Sequence, residues 1–468
     1  MFIDLRNLQD LGSLIKAASR GTISKEEACL KAGLTINVSP WNTLLAERKR
    51  LRRRLSATTR RTHFKLMHMR KKSKSKLFND QKYKRFLDIV LNRFNDSQGI
   101  VGAYIYNEAG ELQLSSESED ILKTAREVLS HTFFSPRVTP PEFANTGKED
   151  DYKTMPDWFK HIFKWDRINQ QKKEYEPVTK AISEEEVSQA IRKMAPHKAG
   201  GPSGVTADML KAAPPIIINL LAEYCTMALR AGDIPHNAKD FNLWCIDKAP
   251  GAGKWISADL SAKLGVRPIS LFEVTTKLLE RILAARLNGV INKHKFLHKA
   301  QMGFSENISA VEAMLLYMHI VEDAHINKKN IYLSSNDCSQ AYDSVAPWVM
   351  KLIYQYHGFP SEIVTLLHNM AKGQSGTILT GVGPTDPFEK LCGLGQGSSL
   401  APLKWNLYLD PLLRWLDELE DKYVINGEGI AVGAFADDTV FISTTHEGYL
   451  ERMRRGGTYF NFFGTEFN

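Results

Sequence analysis

Two adjacent aspartates, Asp437 and Asp438, lie between two apolar, β-prone runs in the segment 429–443. This pattern predicts a hairpin whose turn carries both carboxylates. Two acids in an apolar hairpin repel each other and are costly to desolvate, unless a cation lies between them. Divalent ions such as Mg²⁺ prefer oxygen ligands, so the pair is a candidate metal site. For this segment taken alone, an ordinary aspartate-rich β-turn is the alternative.

A second acidic segment, 331–343, favours the metal site over that alternative. Its residues predict a strand that ends at Asp337, and Pro347 is expected to open the helix that follows. A third carboxylate at the end of a neighbouring strand would complete a site for two divalent ions about 4 Å apart. In that geometry Asp337 and Asp437 would bridge both ions.

The composition of the 468 residues is that of a globular protein of two or three domains, with 43% apolar and 24% charged residues. No apolar run approaches the roughly 18 residues that span a bilayer, and the first residues do not resemble a secretory signal. We therefore expect a nuclear or cytoplasmic protein without a membrane partner. The five scattered cysteines include no CxxC pair, which argues against a disulfide framework or a cysteine zinc site and favours reduced core thiols.

The positive charge of the chain is concentrated in one arm, at positions 41–85, which contains 17 lysines and arginines but only two acidic residues. Such an arm neutralises several phosphates, which predicts salt-dependent binding of nucleic acid. A nuclear import signal and a solvated linker are the alternatives for this segment. The candidate nucleic-acid-binding residues are Arg48, Lys49, Arg50, Arg52, Arg53, Arg54, Arg60 and Arg61.

Three regions are predicted along the chain. Positions 1–95 form a mostly helical N-terminal extension that carries the basic arm. Positions 96–180 form a small α/β segment with a strand pair at 97–115 and a polar linker at 145–177. Positions 181–468 form a mixed α/β domain with its core at 228–468.

Six segments resemble, in order, the motifs of reverse transcriptases of non-LTR (LINE-type) retrotransposons. They are His197-Lys-Ala-Gly-Gly-Pro-Ser-Gly204, Gly265-Val-Arg-Pro-Ile-Ser-Leu271, Gln301-Met-Gly-Phe304, the strand end from Asp337 to Tyr342, Gly393-Leu-Gly-Gln-Gly-Ser-Ser-Leu-Ala-Pro402, and Phe435-Ala-Asp-Asp438. Each motif alone is weak, but six in the family's order are specific. The likeness covers about 185–468.

The resemblance implies an α+β fold, in which the fingers and palm of a right-hand polymerase follow the helical basic extension. The palm would be an antiparallel sheet with packed helices. Asp337, Asp437 and Asp438 would be the catalytic carboxylates and the ligands of two Mg²⁺ ions, with Mn²⁺ as a substitute. The implied activity is RNA-directed DNA synthesis, and the implied partners are an RNA template, a DNA primer or target, and deoxynucleoside triphosphates.

The family's nucleotide-binding positions also have counterparts in this sequence. Tyr342 lies where the family has a bulky aromatic residue that excludes the 2′-hydroxyl of a ribonucleotide. Arg267 and Lys248 match the fingers residues that hold the triphosphate, since arginine offers a planar fork and lysine a point charge. Gln396 and Gly397 would line the nucleotide and the template strand, and glycine would allow close backbone approach.

The sequence departs from the family pattern at several positions. Ser203 replaces the usual aspartate, the strand before Asp337 is unusually polar, and Lys404-Trp405 replaces the usual apolar pair before Asn406. We also expect the domain to be truncated after the Phe-Ala-Asp-Asp motif, so that the thumb and the lysine of the next motif are missing.

Two other functions stay open at this point. The chain could be an inactive, truncated remnant that acts at most as a nucleic-acid-binding protein. It could also be an RNA-dependent RNA polymerase, which Tyr342 and Ala436 disfavour because those enzymes need a residue that accepts the 2′-hydroxyl.

Overall fold

A computed structural model describes residues 99–249, 251–262, 264–304 and 308–467. The predicted extension at 1–95, with its basic arm, lies outside the described residues. None of the described helices is long and apolar enough to span a membrane.

The strands of the described residues are short and fall into several sheets. They are β1 (Gly102–Tyr106), β2 (Leu112–Ser115), β3 (Phe241–Asp247), β4 (Trp255–Ser257), β5 (Val266–Phe272), β6 (Tyr332–Asn336), β7 (Cys338–Ser339), β8 (Gln374–Thr380), β9 (Gly383–Pro384), β10 (Phe388–Lys390), β11 (Tyr423–Ile425), β12 (Glu428–Ile430), β13 (Val432–Phe435), β14 (Asp438–Ser443) and β15 (Glu466–Phe467).

Helices connect and cover these strands. They are α1 (Ser118–Phe134), α2 (Glu142–Thr146), α3 (Glu149–Lys153), α4 (Asp157–Ile162), α5 (Trp165–Ile168), α6 (Glu184–Lys193), α7 (Ala207–Lys211), α8 (Pro215–Ala231), α9 (Val274–His294), α10 (Ala310–Ile326), α11 (Ala341–Ser344), α12 (Pro347–Tyr356), α13 (Ser361–Ala371), α14 (Ala401–Asp417) and α15 (His446–Phe463). Two 3-10 helices, Lys173–Thr179 and His236–Ala238, complete them. The predicted α+β class is confirmed.

The larger sheet has the strand order β10-β8-β3-β5, with β9 paired to β8. Strand β3 runs antiparallel to β5 and parallel to β8, so this large sheet is mixed. Its residues alternate between buried and less buried along β3, β5 and β8, which indicates one face on a core and one turned outward. Helix α1 packs on this core through Phe134, which contacts Phe241 and Phe388.

A second sheet, with the order β13-β14-β6, is antiparallel throughout, and we call it the carboxylate sheet. Strand β14 buries five consecutive residues, Thr439 to Ser443, as a strand covered on both faces does. Helix α14 packs against β13 and helix α15 against β14. Both helices contribute to the main hydrophobic core, to which Trp405 and Phe460 belong.

Local sequence signals account for several helix ends. The predicted capping box forms at α6, where Ser183 and Glu186 satisfy each other's backbone N–H groups. Helix α8 begins at Pro215 and ends before Gly232, whose φ of 66° is the left-handed conformation that glycine adopts most easily.

The stretch 145–177 differs from the polar linker that its composition suggests, because it contains short helices whose aromatic side chains enter the core. Phe159 and Phe163 are fully buried, and Trp158 stacks on Trp415 with ring centroids 5.4 Å apart. Helices of four to six residues lack the periodicity that identifies a helix in a sequence, and they are stabilised by tertiary packing. The predicted domain boundaries stay predictions.

The four cysteines in the described residues are buried and unpaired, in agreement with reduced core thiols. Burial raises the pKa of the Cys225 and Cys245 thiols to about 12, so neither is a reactive thiolate at neutral pH.

Candidate active site

The Asp-Asp pair lies at a tight hairpin turn. Strands β13 and β14 pair antiparallel, and the pairing of Phe435 with Asp438 leaves Ala436 and Asp437 as the two turn residues. Ala436 has a φ of 58°, while Asp437 is not among the residues with positive φ. A positive φ at the first turn position matches the twist of a two-residue hairpin. The turn therefore places Asp437 at its tip and Asp438 on the first residue of β14.

The third carboxylate lies on the neighbouring strand of the same sheet. Strand β6 pairs antiparallel with β14, and Asn336 lies opposite Thr439. One step further along the same register, Asp337 lies beside Asp438. The local folding of the two segments thus brings all three predicted carboxylates to one end of the carboxylate sheet.

The ionisation of Asp438 depends on the two neighbouring carboxylates. Burial raises the pKa of Asp438, and the negative charges of Asp437 and Asp337 raise it further. The same three carboxylates add to the burial that raises the pKa of the Cys338 thiol to about 12. The three carboxylates therefore concentrate negative charge at one end of the carboxylate sheet.

This donor set suits Mg²⁺ in type, because all the ligand atoms would be carboxylate oxygens and a divalent ion would relieve their repulsion. As the side chains lie, however, no group of three or more His, Cys, Asp or Glu residues in the described part of the chain has a metal-holding arrangement. The strand register brings the carboxylates together, and ligation would need their side chains to turn toward a shared ion.

Side-chain hydrogen bonds stabilise the hairpin turn, and they come from residues to which the sequence analysis gave no role. The Gln301 side-chain oxygen accepts hydrogen bonds from the backbone N–H of Gly303, at 2.9 Å, and of Ala436, at 3.3 Å. The indole N–H of Trp405 donates to the Ala436 carbonyl at 2.8 Å. Gly303 lies so close that a Cβ atom there would be 2.1 Å from the Ala436 nitrogen. Both backbone groups of Ala436 are therefore bonded to side chains.

Tyr342 lies next to the turn, on the short helix α11. Its half-buried ring stacks on Trp405 with centroids 5.6 Å apart and an interplanar angle of 19°. Burial raises the pKa of its phenol, and the charge of Asp437 adds to the effect. The Tyr342 carbonyl accepts a hydrogen bond from the Leu394 N–H at 2.7 Å. The predicted sugar-contacting ring is thus brought to the carboxylates and to the 393–397 loop.

The loop that contains Gln396 and Gly397 is fixed to the large sheet. The Ser270 N–H on β5 donates to the Gln396 carbonyl at 2.8 Å. Gly397 has a φ of 122°, and a Cβ atom there would be 2.5 Å from the Ser270 carbonyl oxygen. Only glycine permits this close approach to Ser270 at position 397. The next residue, Ser398, also fixes the loop, because its hydroxyl donates to the buried carboxylate of Glu280 at 2.7 Å.

Lys248 and Arg267 lie on or beside the large sheet. Arg267 is on β5 opposite Ile246, and the Lys248 N–H donates to the Gly265 carbonyl at 2.7 Å. Both side chains are exposed. None of the hydrogen bonds or ion pairs in the described residues links either side chain to the three carboxylates, so their part in nucleotide binding stays a prediction.

The predicted nucleic-acid-binding residues of the basic arm lie outside the described residues. They are Arg48, Lys49, Arg50, Arg52, Arg53, Arg54, Arg60 and Arg61.

Sequence reasoning missed Trp405 and Gln301 as parts of the site. Signals for both were present, since Trp405 departs from the family pattern and Gln301 lies within one of its motifs. What the sequence could not show is their contact with Ala436, more than 30 residues away from Trp405 and more than 130 from Gln301.

Comparisons with known proteins identify a family for part of the chain. Residues 259–467 match the family model described as reverse transcriptase (RNA-dependent DNA polymerase). The chain is 26% identical over 294 residues to the retrovirus-related Pol polyprotein from the type-2 retrotransposable element R2DM of Drosophila melanogaster, over 63% of this chain and 26% of that protein.

Two further relatives show similar likeness. The retrovirus-related Pol polyprotein from the type-1 retrotransposable element R2 of Nasonia vitripennis is 26% identical, over 55% of this chain and 23% of that protein. The probable RNA-directed DNA polymerase from transposon BS of Drosophila melanogaster is 29% identical, over 49% of this chain and 24% of that protein. The match spans about a quarter of each relative's length. The predicted family is confirmed for residues 259–467, which form a reverse transcriptase domain of the non-LTR retrotransposon type.

Proposed function

We propose that the chain is an RNA-directed DNA polymerase of a non-LTR retrotransposon, which adds deoxynucleotides to the 3′-hydroxyl of a primer. The observation that carries the proposal is the meeting of Asp337, Asp437 and Asp438 at one end of the carboxylate sheet, beside Tyr342. The family match over 259–467 and the likeness to the probable RNA-directed DNA polymerase from transposon BS support the same activity.

Asp337, Asp437 and Asp438 would hold two Mg²⁺ ions, or Mn²⁺ in their place, and such ions would supply the positive charge that activates the primer hydroxyl and balances the triphosphate. The protein's own contribution is the carboxylate geometry. Asp437 and Asp438 project from a turn whose conformation Gln301 and Trp405 fix, and Asp337 projects from the adjacent strand. Because the turn is fixed, only the carboxylate side chains would have to turn toward the ions.

In this proposal the carboxylate sheet is part of the palm and the large sheet is part of the fingers. Arg267 and Lys248, exposed on the large sheet, would bind the triphosphate of the incoming nucleotide. Tyr342 would pack against its sugar and exclude a 2′-hydroxyl. Gln396 and Gly397, held against β5, would line the nucleotide and the template strand.

The partners in this proposal are an RNA template, a DNA primer or target, and deoxynucleoside triphosphates. The basic arm at 41–85 would add phosphate contacts, and affinity for nucleic acid should then fall steeply as salt rises.

Primer extension tests the proposal. The full chain is incubated with a DNA primer on an RNA template, deoxynucleotides and Mg²⁺, and it is compared with an Asp437→Asn, Asp438→Asn double variant. The double variant should lose extension by roughly a thousandfold or more, because it loses the charge of two proposed ligands. The matched control is Asp150→Asn with Asp151→Asn, another adjacent pair, on the short helix α3, where Asp150 is exposed and Asp151 is half-buried.

The outcomes separate the two remaining functions. Extension by the unsubstituted chain and by the control, but not by the double variant, supports the polymerase. Absence of extension by all three chains, with RNA binding retained, would contradict it and leave a nucleic-acid-binding protein.

A further inference from the structure

Trp405 is a fully buried residue on α14 that contacts two parts of the site at once. One face of its indole stacks on the ring of Tyr342, and its N–H bonds to the carbonyl of Ala436 in the turn that carries Asp437 and Asp438. One rigid side chain thus joins the group proposed to contact the sugar to the turn that carries two carboxylates.

The contact with the turn fixes a conformation that alanine does not favour. Ala436 has a φ of 58°, in the left-handed region where a Cβ atom is strained. The indole N–H lies 2.8 Å from the Ala436 oxygen, a good distance for a hydrogen bond. The Gln301 side-chain N–H also donates to this carbonyl, at 3.5 Å, so loss of the part-buried indole bond would leave the carbonyl with the longer and weaker of its two hydrogen bonds. The bond therefore helps to keep the turn, and with it Asp437, in one position.

The contact with Tyr342 supports that ring from one side. The two rings are nearly parallel, at 19°, with centroids 5.6 Å apart. Trp405 cannot easily retreat, because Tyr408 packs against it with a centroid distance of 5.2 Å and the side chain is fully buried. Tyr342 is half-buried, so it has an exposed part that can meet a ligand.

We propose that Trp405 is a positioning residue that sets sugar selectivity: its ring supports Tyr342 against the sugar of a nucleoside triphosphate, and its N–H aligns the turn that carries Asp437. The inference rests on the proposed polymerase function. The two contacts have separate consequences. Loss of the N–H bond should slow catalysis, whereas loss of the ring should also weaken discrimination between deoxynucleotides and ribonucleotides.

This sequence is suited to separate the two contacts. Where the family has an apolar pair before the asparagine, this chain has Lys404-Trp405. Phenylalanine at position 405 would keep an aromatic ring under Tyr342 but has no N–H to donate. Leucine would remove both the ring and the donor.

The experiment measures single-nucleotide incorporation by the full chain on a primed RNA template, with deoxynucleotide and ribonucleotide as separate substrates. For Trp405→Phe we expect kcat with the deoxynucleotide to fall by roughly three- to tenfold, with KM and the selectivity ratio unchanged. For Trp405→Leu we expect the ratio of kcat/KM for deoxynucleotide over ribonucleotide to fall by roughly tenfold or more, because a displacement of about 1 Å can change rates by up to about a hundredfold.

Two comparisons isolate the proposed role from general damage. Trp415→Leu makes the same change on the same helix, where Trp415 stacks on Trp158, and it should leave the ratio unchanged. In a Tyr342→Ala background, Trp405→Leu should have no further effect on the ratio, because the ring that it supports is gone.

The possible results are distinguishable. The inference is supported if Trp405→Leu lowers the selectivity ratio and Trp405→Phe keeps it. In addition, Trp405→Leu must leave the ratio unchanged in the Tyr342→Ala background. An unchanged ratio in Trp405→Leu, or the same fall in both backgrounds, would overturn the inference and leave the polymerase assignment intact. No incorporation by the unsubstituted chain would overturn the proposed function and the inference with it.

Discussion

Ala436 shows how single residues hold this site together. A non-glycine residue in the left-handed region costs about 1–2 kcal/mol, yet Ala436 adopts it between the hairpin strands. Hydrogen bonds from Trp405 to its carbonyl and from its N–H to Gln301 offset that cost. A strained residue kept in place by its neighbours is often part of a functional site. Here it directs the two aspartates that follow.

Tyr342→Ala should loosen selection against ribonucleotides. The ring lies beside the carboxylates, so its removal would make room for a 2′-hydroxyl. We expect the ratio of kcat/KM for deoxynucleotide over ribonucleotide to fall by roughly tenfold or more, which corresponds to about 1.4 kcal/mol or more. Tyr342→Phe keeps the ring and should keep the ratio. Unchanged selectivity in the alanine variant would show that Tyr342 does not contact the sugar.

Among secondary-structure elements, the carboxylate sheet depends on a segment just before α10. The Met302 N–H donates to the Ala434 carbonyl, and the Ala434 N–H donates to the Ala300 carbonyl, both at 2.8 Å. Gly303 follows, and its missing side chain lets this segment approach the hairpin turn. Strand β13, which leads into the turn with Asp437, is therefore held by backbone contacts on both of its edges.

Gly303→Ala should disturb the turn. The added Cβ would lie 2.1 Å from the Ala436 nitrogen, so one of the two segments must move. We expect a loss of roughly 1–3 kcal/mol in the free energy of unfolding and a larger relative loss of primer extension. The matched variant is Gly289→Ala on α9, where no atom lies within 4 Å, and it should be neutral or stabilising by up to about 1 kcal/mol. Equal activity in the two variants would contradict the account of the turn.

Strong local signals made some elements predictable from sequence. The hairpin of β13 and β14 follows from two apolar runs around an Asp-Asp pair, and α6 follows from its capping box. The helices of 142–179 were not predictable, because their aromatic side chains become informative only when packed against residues far along the chain, as Trp158 is against Trp415. The role of Trp405 was not predictable for the same reason, because its contacts with Tyr342 and Ala436 form only in the folded protein.

Across the whole described region, one loop joins parts that are distant in sequence. The 393–399 loop receives a hydrogen bond from Ser270 on the large sheet and donates one to the Tyr342 carbonyl on α11. It also bonds to Glu280 on α9, which accepts from the Ser398 hydroxyl and the Ser399 N–H. A loop held at three points in this way would keep Gln396 and Gly397 in place during nucleotide binding.

Acid should destabilise the described region through His357, which is buried and donates to the Leu407 carbonyl at 3.1 Å. Burial lowers the pKa of His357 to about 4, from an ordinary value of 6.5, although Asp410 opposes the effect. The unfolded chain then binds the proton more readily, so stability is full above pH 6.5 and is lost as pH falls from 6.5 toward 4. Over this window His357 should remove up to about 3 kcal/mol.

Chemical denaturation at several pH values checks this expectation. The unsubstituted chain should lose more stability between pH 6.5 and 4 than a His357→Gln variant. His131→Gln, at an exposed position on α1, should keep the original pH dependence. The same slope in the His357→Gln variant as in the unsubstituted chain would mean that another group controls acid stability.

The most direct test of the central claim compares two aspartates of one segment by primer extension on an RNA template. Asp337 lies at the end of β6 beside Asp438, while Asp343 is packed against the Gly393 loop and burial raises its pKa to about 7. Asn resembles a protonated Asp, so Asp343→Asn should retain extension, whereas Asp337→Asn should lose roughly a thousandfold or more. Extension by Asp337→Asn at the rate of the unsubstituted chain would contradict a polymerase site built on these three carboxylates.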